Sequence, residues 1–403
     1  MRAKCAGMLI AMLLAAAGCG SDGGSGQATV TVGVVAPLDG GLTQFGLGIR
    51  NSVQLAVDEA IAAGLLPGVR LVVRAVDDSS DPDIGVRNVR RQLLDDRSVV
   101  GVIGTYNSGV AAAVAPLLAE AGIAMLSPGN TDPTLTLGPD PDHPRRPRAN
   151  YFRLVAHDAQ QGGVLAAYAA AALGAPPVAI VADAKPVSQG LAEDFRDAYR
   201  GASGPIASYE IVPDGDTDYA PYAVRAAAAR PGLLFFGGEY DHAALLKRAA
   251  VDAGLTVALM GGDGVQADGY LAAAGAIAAG DLASSVGAPI EHDPRGGAFL
   301  AAYAAHGFVE PPSTFGPYAY DAANILLAAT RDALAGRRRV TAAVRASVIA
   351  TVQAADDALL APFGGAITGA IGFDAFGDTV NPVLTVYRVE HGAWVALDTA
   401  AAD

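Results

Sequence analysis

The sequence predicts an α/β protein built from two similar, doubly wound lobes with mainly parallel sheets. From Thr29 onward, short β-rich runs alternate with longer segments of helical periodicity. This alternation produces a parallel sheet covered by helices on both faces. It runs twice along a chain of 403 residues, which is long enough for more than one core. Two such lobes leave a cleft between them, and an interface between domains is a favoured place for a ligand.

The first set of strand–helix units spans about residues 29–154. Its predicted strands are Val30–Ala36, Leu71–Val76, Val99–Gly104 and Ala124–Ser127. Apolar positions from Gly48 to Ala63 recur at helical spacing. Asp81 and Pro82 open a helix that ends near Asp95, because aspartate is a good cap and proline is favoured in the first helical turn. Thr136–Asn150, rich in proline and arginine, is predicted to be a surface loop.

The second set spans about residues 155–285. Its predicted strands are Val178–Asp183, Leu233–Gly237 and Val257–Gly261. Three later segments have helical periodicity: Arg295–His306, Tyr320–Leu334 and Thr341–Val352. A final strand pair, Val383–Val389 and Ala393–Leu397, closes the pattern.

The amino terminus has the features of a secretory leader with a lipid anchor. Arg2 and Lys4 precede an apolar run over residues 6–17, which is too short to span a bilayer because spanning needs about 20 residues. Ala-Ala-Gly and Cys19 follow, which is a bacterial lipobox pattern. We therefore expect a signal peptide over 1–18 and a lipidated Cys19 with a flexible Gly/Ser-rich tether over 19–28, anchored outside the cytoplasmic membrane. The alternative is plain secretion with an incidental cysteine.

Composition narrows the function classes. The formal charge of −14 becomes −16 without the leader, which argues against binding to nucleic acid or to anionic lipid surfaces. The cysteines are Cys5 and Cys19, so no disulfide is expected in the mature protein. The six histidines lack metal-site spacing, no serine lies in G-x-S-x-G, and no dinucleotide fingerprint follows a strand. We expect no enzyme activity, no cofactor and no metal.

Six short motifs occur in order along the chain: Thr31–Leu38 (TVGVVAPL), Asp77–Pro82 (DDSSDP), Val102–Ser108 (VIGTYNS), Ser127–Thr131 (SPGNT), Phe236–Gly238 (FGG) and Gly261–Gly264 (GGDG). Their order and spacing resemble the leucine/isoleucine/valine-binding proteins, which are type I periplasmic substrate-binding proteins of ABC importers. The resemblance implies two lobes joined by a three-crossover hinge around a ligand cleft. Lobe 1 would comprise 29–154 plus 286–372, and lobe 2 would comprise 155–285 plus 373–400.

The resemblance also implies a function. The protein would capture an amino acid or a small amphoteric derivative between its lobes and deliver it, as a monomer, to the membrane subunits of an ABC permease. The alternative is a sensory protein for an amide, a nucleobase-like or an aromatic acid ligand.

Several residues could hold the carboxylate of such a ligand. Ser108 lies at the start of a helix that follows a strand, where free N–H groups and the helix dipole favour an anion. Thr131 adds a hydroxyl at the end of a second strand, and Gly129 allows close approach of the backbone. The resemblance implies that Ser108 and Thr131 hold the α-carboxylate and that the Gly129 carbonyl accepts from the ammonium. The alternative is that both hydroxyls are simple caps.

The resemblance implies that Asp263, flanked by glycines at a strand end, pairs with the ligand ammonium; it could instead cap a turn. Tyr106 is a candidate for the cleft wall, and Phe315 for an aromatic contact. Val187 and Glu239 stand where relatives have aromatic residues. If Glu239 lines the cleft, the cost of burying an unpaired carboxylate predicts a ligand with a second donor or cation. The alternative is a solvated residue at a helix start.

Overall fold

The computed structural model describes residues 27–140 and 143–402. It confirms the predicted mixed α/β fold with two separate, mostly parallel sheets. The proposed leader and Cys19 lie outside the described residues. Within the described residues, the helices are all too short or too polar to cross a bilayer.

The strands follow the order of the prediction, with additional members. They are β1 (Ala28–Ala36), β2 (Val69–Asp77), β3 (Val99–Gly104), β4 (Ala124–Ser127), β5 (Tyr151–Arg153), β6 (Val178–Asp183), β7 (Ile206–Val212), β8 (Leu233–Phe236), β9 (Leu259–Gly261), β10 (Leu282–Val286), β11 (Val383–Glu390) and β12 (Ala393–Ala401).

The helices lie mostly between the strands. They are α1 (Thr43–Ala62), α2 (Pro82–Val89), α3 (Ser108–Glu120), α4 (Thr134–Leu137), α5 (Asp158–Ala171), α6 (Pro186–Gly201), α7 (Ala220–Ala228), α8 (Tyr240–Asp252), α9 (Asp268–Ala274), α10 (Pro294–His306), α11 (Gly316–Leu334), α12 (Ala342–Gln353) and α13 (Asp357–Leu360). A π-helical turn over Arg90–Leu94 extends α2 to near its predicted end.

The first sheet is fully parallel, with strand order β2-β1-β3-β4-β5. Its central strands are buried on both faces because helices cover both sides, which explains their continuous runs of valine and isoleucine. Helix α11 packs against α1, α12 and β3. Almost every residue of α11 is buried, as expected for a helix that is apolar around most of its circumference.

The second sheet has the order β12-β11-β10-β9-β8-β6-β7. Strands β6 to β10 are parallel, whereas β11 and β12 are antiparallel additions at one edge. Three of the strands were not predicted. Strand β5 has only three residues, β7 is a half-exposed edge strand, and β10 carries the polar residues Ser284 and Ser285 in its interior.

The chain passes between the two sheets three times. It leaves the first sheet after β5, returns to it after β10 through helices that pack on the first sheet, and leaves it again before β11. A buried ion pair joins two of these passages: Arg153, at the end of β5, lies 2.7 Å from Asp378, which precedes β11. The Arg153 N–H also donates to the Gly377 carbonyl at 2.9 Å. These contacts hold the crossover segments together at one end of the cleft.

Candidate functional site

The carboxyl ends of strands from both sheets meet around a cavity of about 50 Å³. Ligands of open α/β sheets bind at such strand ends. Its lining residues come from both lobes: Tyr106, Asn107, Ser108, Gly129, Thr131, Asp158, Asp183, Lys185, Val187, Ser188, Leu191, Gly237, Gly238, Glu239, Asp263 and Gly264. All the predicted ligand residues except Phe315 are among them. Phe315 lies behind Tyr106, fully buried, with the ring centroids 5.1 Å apart.

Ser108 joins the two strand-end loops on the wall formed by the first lobe. Its Oγ accepts hydrogen bonds from the backbone N–H groups of Thr131 at 3.2 Å and Asp132 at 3.3 Å. Asn107, not Ser108, occupies the N-cap position of α3, and its side chain makes no capping bond. Ser108 therefore does not act as a helix cap, and its hydroxyl proton is available to donate toward the cavity.

Gly129 lies where side chains approach the backbone closely. A Cβ atom at this position would lie 3.1 Å from Cδ1 of Phe315 and 3.4 Å from Cδ2 of Tyr106. The neighbouring Asn130 donates from its Nδ2 to the Tyr106 carbonyl at 2.7 Å, which holds the two loops in register. A larger residue at position 129 would press against both aromatic rings.

Two carboxylates, Asp158 and Asp263, lie together on the wall formed by the second lobe. The amide Nε2 of Gln161 donates to Oδ1 of Asp263 at 3.1 Å and to Oδ1 of Asp158 at 3.4 Å. The Gly264 N–H also donates to Asp263 at 3.0 Å. Burial raises the pKa of Asp263 to about 6. Burial, together with the nearby Asp263 charge, raises the pKa of Asp158 well above its ordinary value.

No cationic side chain within residues 27–140 and 143–402 forms an ion pair with Asp158 or Asp263. Both side chains are at most 7 % exposed. Burial of carboxylates is unfavourable unless they are protonated or paired with a cation. This carboxylate pair therefore favours a bound cation.

Gln161 holds the carboxylate pair in place. Its Oε1 accepts from the backbone N–H of Asp263 at 2.6 Å and from the hydroxyl of Ser284 at 2.5 Å. One side chain at the start of α5 thereby connects the loop after β9 with strand β10. Gln161 is a positioning residue for Asp263.

The sequence leaves open whether Glu239 lines the cleft or is solvated. Glu239 lines the cavity at the start of α8 and is not a solvated residue. Its Oε2 lies 3.2 Å from Nζ of Lys185, and its Oε1 accepts from Nδ2 of Asn107 at 2.8 Å. Burial raises the pKa of Glu239, and the Glu239 carboxylate raises that of Lys185. Glu239 is therefore not an unpaired carboxylate, and the ligand need not supply a cation for it; whether the ligand brings a second donor remains a prediction.

The carboxylate of Asp183 also has hydrogen-bond partners within the protein. It accepts from the Tyr219 hydroxyl at 2.5 Å and lies 2.9 Å from Nδ1 of His242. The hydrogen bond to Asp183 raises the pKa of His242. Val187 and Leu191 supply the aliphatic part of the cavity wall.

An aromatic cluster closes one side of the cavity and spans both lobes. Phe45 packs against Tyr106, Phe315 and Tyr240 with ring centroids 4.8–5.4 Å apart. The Tyr240 hydroxyl, from the second lobe, donates to the Gly41 carbonyl of the first lobe. Beside this cluster, a groove of about 460 Å³ follows the seam between the lobes, and its lining includes Gln44, Phe45, Ala267 and Trp394.

Sequence reasoning missed several residues that line or support the cavity, and four of them contact its charged groups: Asn107, Lys185, Asp158 and Gln161. Asn107 lies next to the predicted Ser108, and Lys185 lies close to the predicted Val187. Both follow the end of a strand, and this position could have indicated that they line the cavity. Asp158 and Gln161 lie at the start of α5, just after the first passage between the lobes. Their partner Asp263 is about a hundred positions away, and no local pattern indicates that contact.

Two doubly wound lobes, three connecting passages and a cavity between the strand ends define the architecture of a two-lobed solute-binding protein. The chain belongs to the periplasmic binding protein family, whose model matches residues 29–393. The family consists of extracytoplasmic solute-binding proteins.

Individual relatives agree with this assignment. The chain is 32% identical to Leu/Ile/Val-binding protein homolog 2 of Brucella abortus over 297 residues, covering 74% of this chain and 77% of the relative. It is similar to the crystal structure of LivJ, a branched-chain amino acid transporter substrate binding protein from Streptococcus pneumoniae in complex with isoleucine (TM-score 0.79, 25% identity, 93% and 99% of the two chains). It also resembles the fold of LivK, a leucine binding protein from Thermotoga maritima (TM-score 0.78, 24% identity, 92% and 99%).

Proposed function

We propose that this protein captures an amino acid or a small amphoteric derivative between its lobes and delivers it to an ABC permease, without chemical change to the ligand. The main support is the Asp158–Asp263 carboxylate pair, which has no cationic partner among the described residues and shares a cavity with the hydroxyls of Ser108 and Thr131. An α-amino acid brings the complementary groups, an ammonium and a carboxylate.

In this proposal each ligand group has a defined partner. The α-carboxylate accepts from the Ser108 hydroxyl near the start of α3, where free backbone N–H groups also favour an anion. It also accepts from the Thr131 hydroxyl, which turns to the ligand from its present partner Asp158. The ammonium lies against Asp158 and Asp263 and donates to the Gly129 carbonyl. An acid without an amine would face the two carboxylates with no favourable charge, which disfavours the aromatic acid alternative.

Binding on this proposal requires the lobes to separate and close. A cavity of about 50 Å³ is smaller than the roughly 300–1,000 Å³ typical of ligand sites, so a ligand enters only when the lobes move apart. Ligand contacts with both lobes exist only in the closed form, which shifts the equilibrium toward closure. The lobe bounds that we propose are 29–154 plus 286–372 and 155–285 plus 373–400.

Lipidation of Cys19 would hold the protein at the outer face of the cytoplasmic membrane, as a monomer near its permease. The Gly/Ser-rich segment behind Cys19 would serve as the tether.

The test is calorimetric titration with sets of matched ligands. Each amino acid is compared with its N-acetyl derivative, which lacks the ammonium, and with the corresponding amine, which lacks the carboxylate. We expect binding of the free amino acid only. At 100 times its dissociation constant, that ligand should stabilise the protein by about 2.7 kcal/mol. Equal binding of an N-acetyl derivative would contradict the proposal.

A further inference from the structure

The polar groups at the far end of the cavity indicate what kind of side chain the ligand carries. Gly264 follows Asp263 directly, and a Cβ at Gly264 would lie 3.4 Å from Cγ of Glu239 and 3.5 Å from the Tyr106 hydroxyl. The ammonium-binding carboxylates and the Glu239 group therefore lie on adjacent sides of one glycine. A side chain leaving the α-carbon of a ligand can reach Glu239 and its partners.

Asn107 contributes an unused acceptor to this region. Its Nδ2 donates to the Glu239 carboxylate, which accepts only, so its Oδ1 points away from Glu239. That Oδ1 is buried and has no hydrogen-bond partner among the described residues. A buried unpaired acceptor is unfavourable by about 1–3 kcal/mol, so a ligand that donates to it gains affinity.

Lys185 contributes unused donors. Its ammonium carries three N–H donors, and one of them is directed to Glu239 at 3.2 Å. Asn107 and Lys185 bind the two oxygens of the Glu239 carboxylate and both line the cavity, so an acceptor and a donor are present on either flank of Glu239. A carboxamide offers the complementary pair, an N–H donor and a carbonyl acceptor.

The charged groups at this end of the cavity already have partners in the protein, because Glu239 pairs with Lys185 and Asp183 with Tyr219 and His242. An ionised ligand side chain would have to compete with one of these partners, which favours a neutral side chain. The aliphatic wall is limited to Val187 and Leu191. A branched aliphatic side chain would leave the polar groups unpaired, and sites built for hydrogen bonding reject ligands that lack the matching group.

We propose that the ligand carries a neutral polar side chain, of the carboxamide type, and that Asn107, Lys185 and Glu239 select it. This inference rests on the proposed amino acid-binding function and adds the side-chain class. It separates this chain from relatives that are named for leucine, isoleucine and valine.

The first experiment compares asparagine, glutamine and leucine by calorimetric titration of the full chain. Leucine has nearly the same branched shape as asparagine but lacks its polar atoms. We expect asparagine or glutamine to bind about 10- to 100-fold more tightly than leucine. Tighter binding of leucine would overturn this inference and leave the amino acid-binding function intact. If no amino acid binds, both proposals fail.

The second experiment removes the polar side chains that we assign to ligand selection. The double variant Lys185→Met/Glu239→Leu replaces the ion pair with apolar side chains of similar size, and Asn107→Leu independently removes the free acceptor. Each should lower the preference for the carboxamide over leucine by about 10-fold or more. Arg225→Met is the matched control, because Arg225 pairs with Glu210 at 2.9 Å outside the cavity. A preference that stays unchanged in folded Asn107→Leu and in the double variant would overturn the assignment.

Discussion

The sharpest test of the proposed ammonium site is the variant Asp263→Asn. Asparagine keeps the size of the side chain and can still accept from the Gly264 N–H, which lies 3.0 Å from Oδ1, but it removes the negative charge. Loss of one member of a buried, hydrogen-bonded charge pair typically weakens binding by about 2–5 kcal/mol. That range corresponds to roughly 30-fold to a few thousand-fold in affinity.

Because Asp158 is a second carboxylate beside the ammonium, we expect the loss of affinity in Asp263→Asn to lie near the lower end of that range. The charge of Asp263 contributes to the raised pKa of Asp158. When this charge is removed, the pKa of Asp158 falls and Asp158 ionises more readily beside the ammonium. We therefore expect Asp263→Asn alone to weaken binding about 30- to 100-fold, and Asp158→Asn/Asp263→Asn together to weaken it by more than the two single effects combined.

Proton competition gives an independent readout. The pKa of Asp263 is about 6, so a proton neutralises this carboxylate below pH 6 and competes with the ammonium. Affinity of the parent protein should fall as the pH drops from 7 to 5, and the double variant should show a flatter profile. Calorimetric titration at several pH values measures both effects. An amine-bearing ligand that binds Asp263→Asn as tightly as the parent would refute the ammonium assignment.

Three further outcomes are expected. Ser108→Ala removes a donor to the ligand carboxylate and an acceptor for the Thr131 N–H, so titration should show a loss of about 1.5–3 kcal/mol in binding; unchanged affinity would contradict this role. Asp78 is buried, its Oδ2 has no hydrogen-bond partner within the described part of the chain, and burial raises its pKa to about 7. Because the folded protein holds this proton more tightly than the unfolded chain, stability is lost as the pH rises from about 4, the ordinary pKa of an aspartate, to about 7. Asp78→Asn should therefore raise the free energy of unfolding by about 2–4 kcal/mol more at pH 8 than at pH 4, and an equal effect in denaturant titrations at the two pH values would contradict this reasoning. Cys19→Ser should release the protein from membranes without loss of folding; detergent-phase partitioning that matches the parent would rule out the anchor.

The periodicity of the sequence predicted most of the fold because buried parallel strands and amphipathic helices leave clear local patterns. Strands such as Val99–Gly104 and Val178–Asp183 agree with the structure at both ends. Strand β10 was missed because its buried Ser284 and Ser285 break the apolar run. Those serines are satisfied by long-range partners, Gln161 and Thr314, and such partners leave no local trace.

The candidate site likewise has a part that the sequence predicts and a part that it does not. Ser108, Gly129 and Asp263 follow strands, and strand ends of an α/β sheet converge on one edge, so their proximity is predictable. Which of the charged side chains are paired with one another cannot be predicted from strand ends alone. Lys185 pairs with Glu239, whereas Asp263 has no cationic partner in the described part of the chain, and both facts depend on the relative position of loops more than 50 positions apart.

The groove along the seam between the lobes has a practical consequence. Trp394 is the single tryptophan of the chain. It stacks on Tyr270, and its indole N–H donates to the Ala267 carbonyl at 3.2 Å, while the same groove is bounded across the seam by Gln44 and Phe45. Separation of the lobes would change the solvent around this indole. Its emission spectrum would then report opening and closure in real time, without a chemical label.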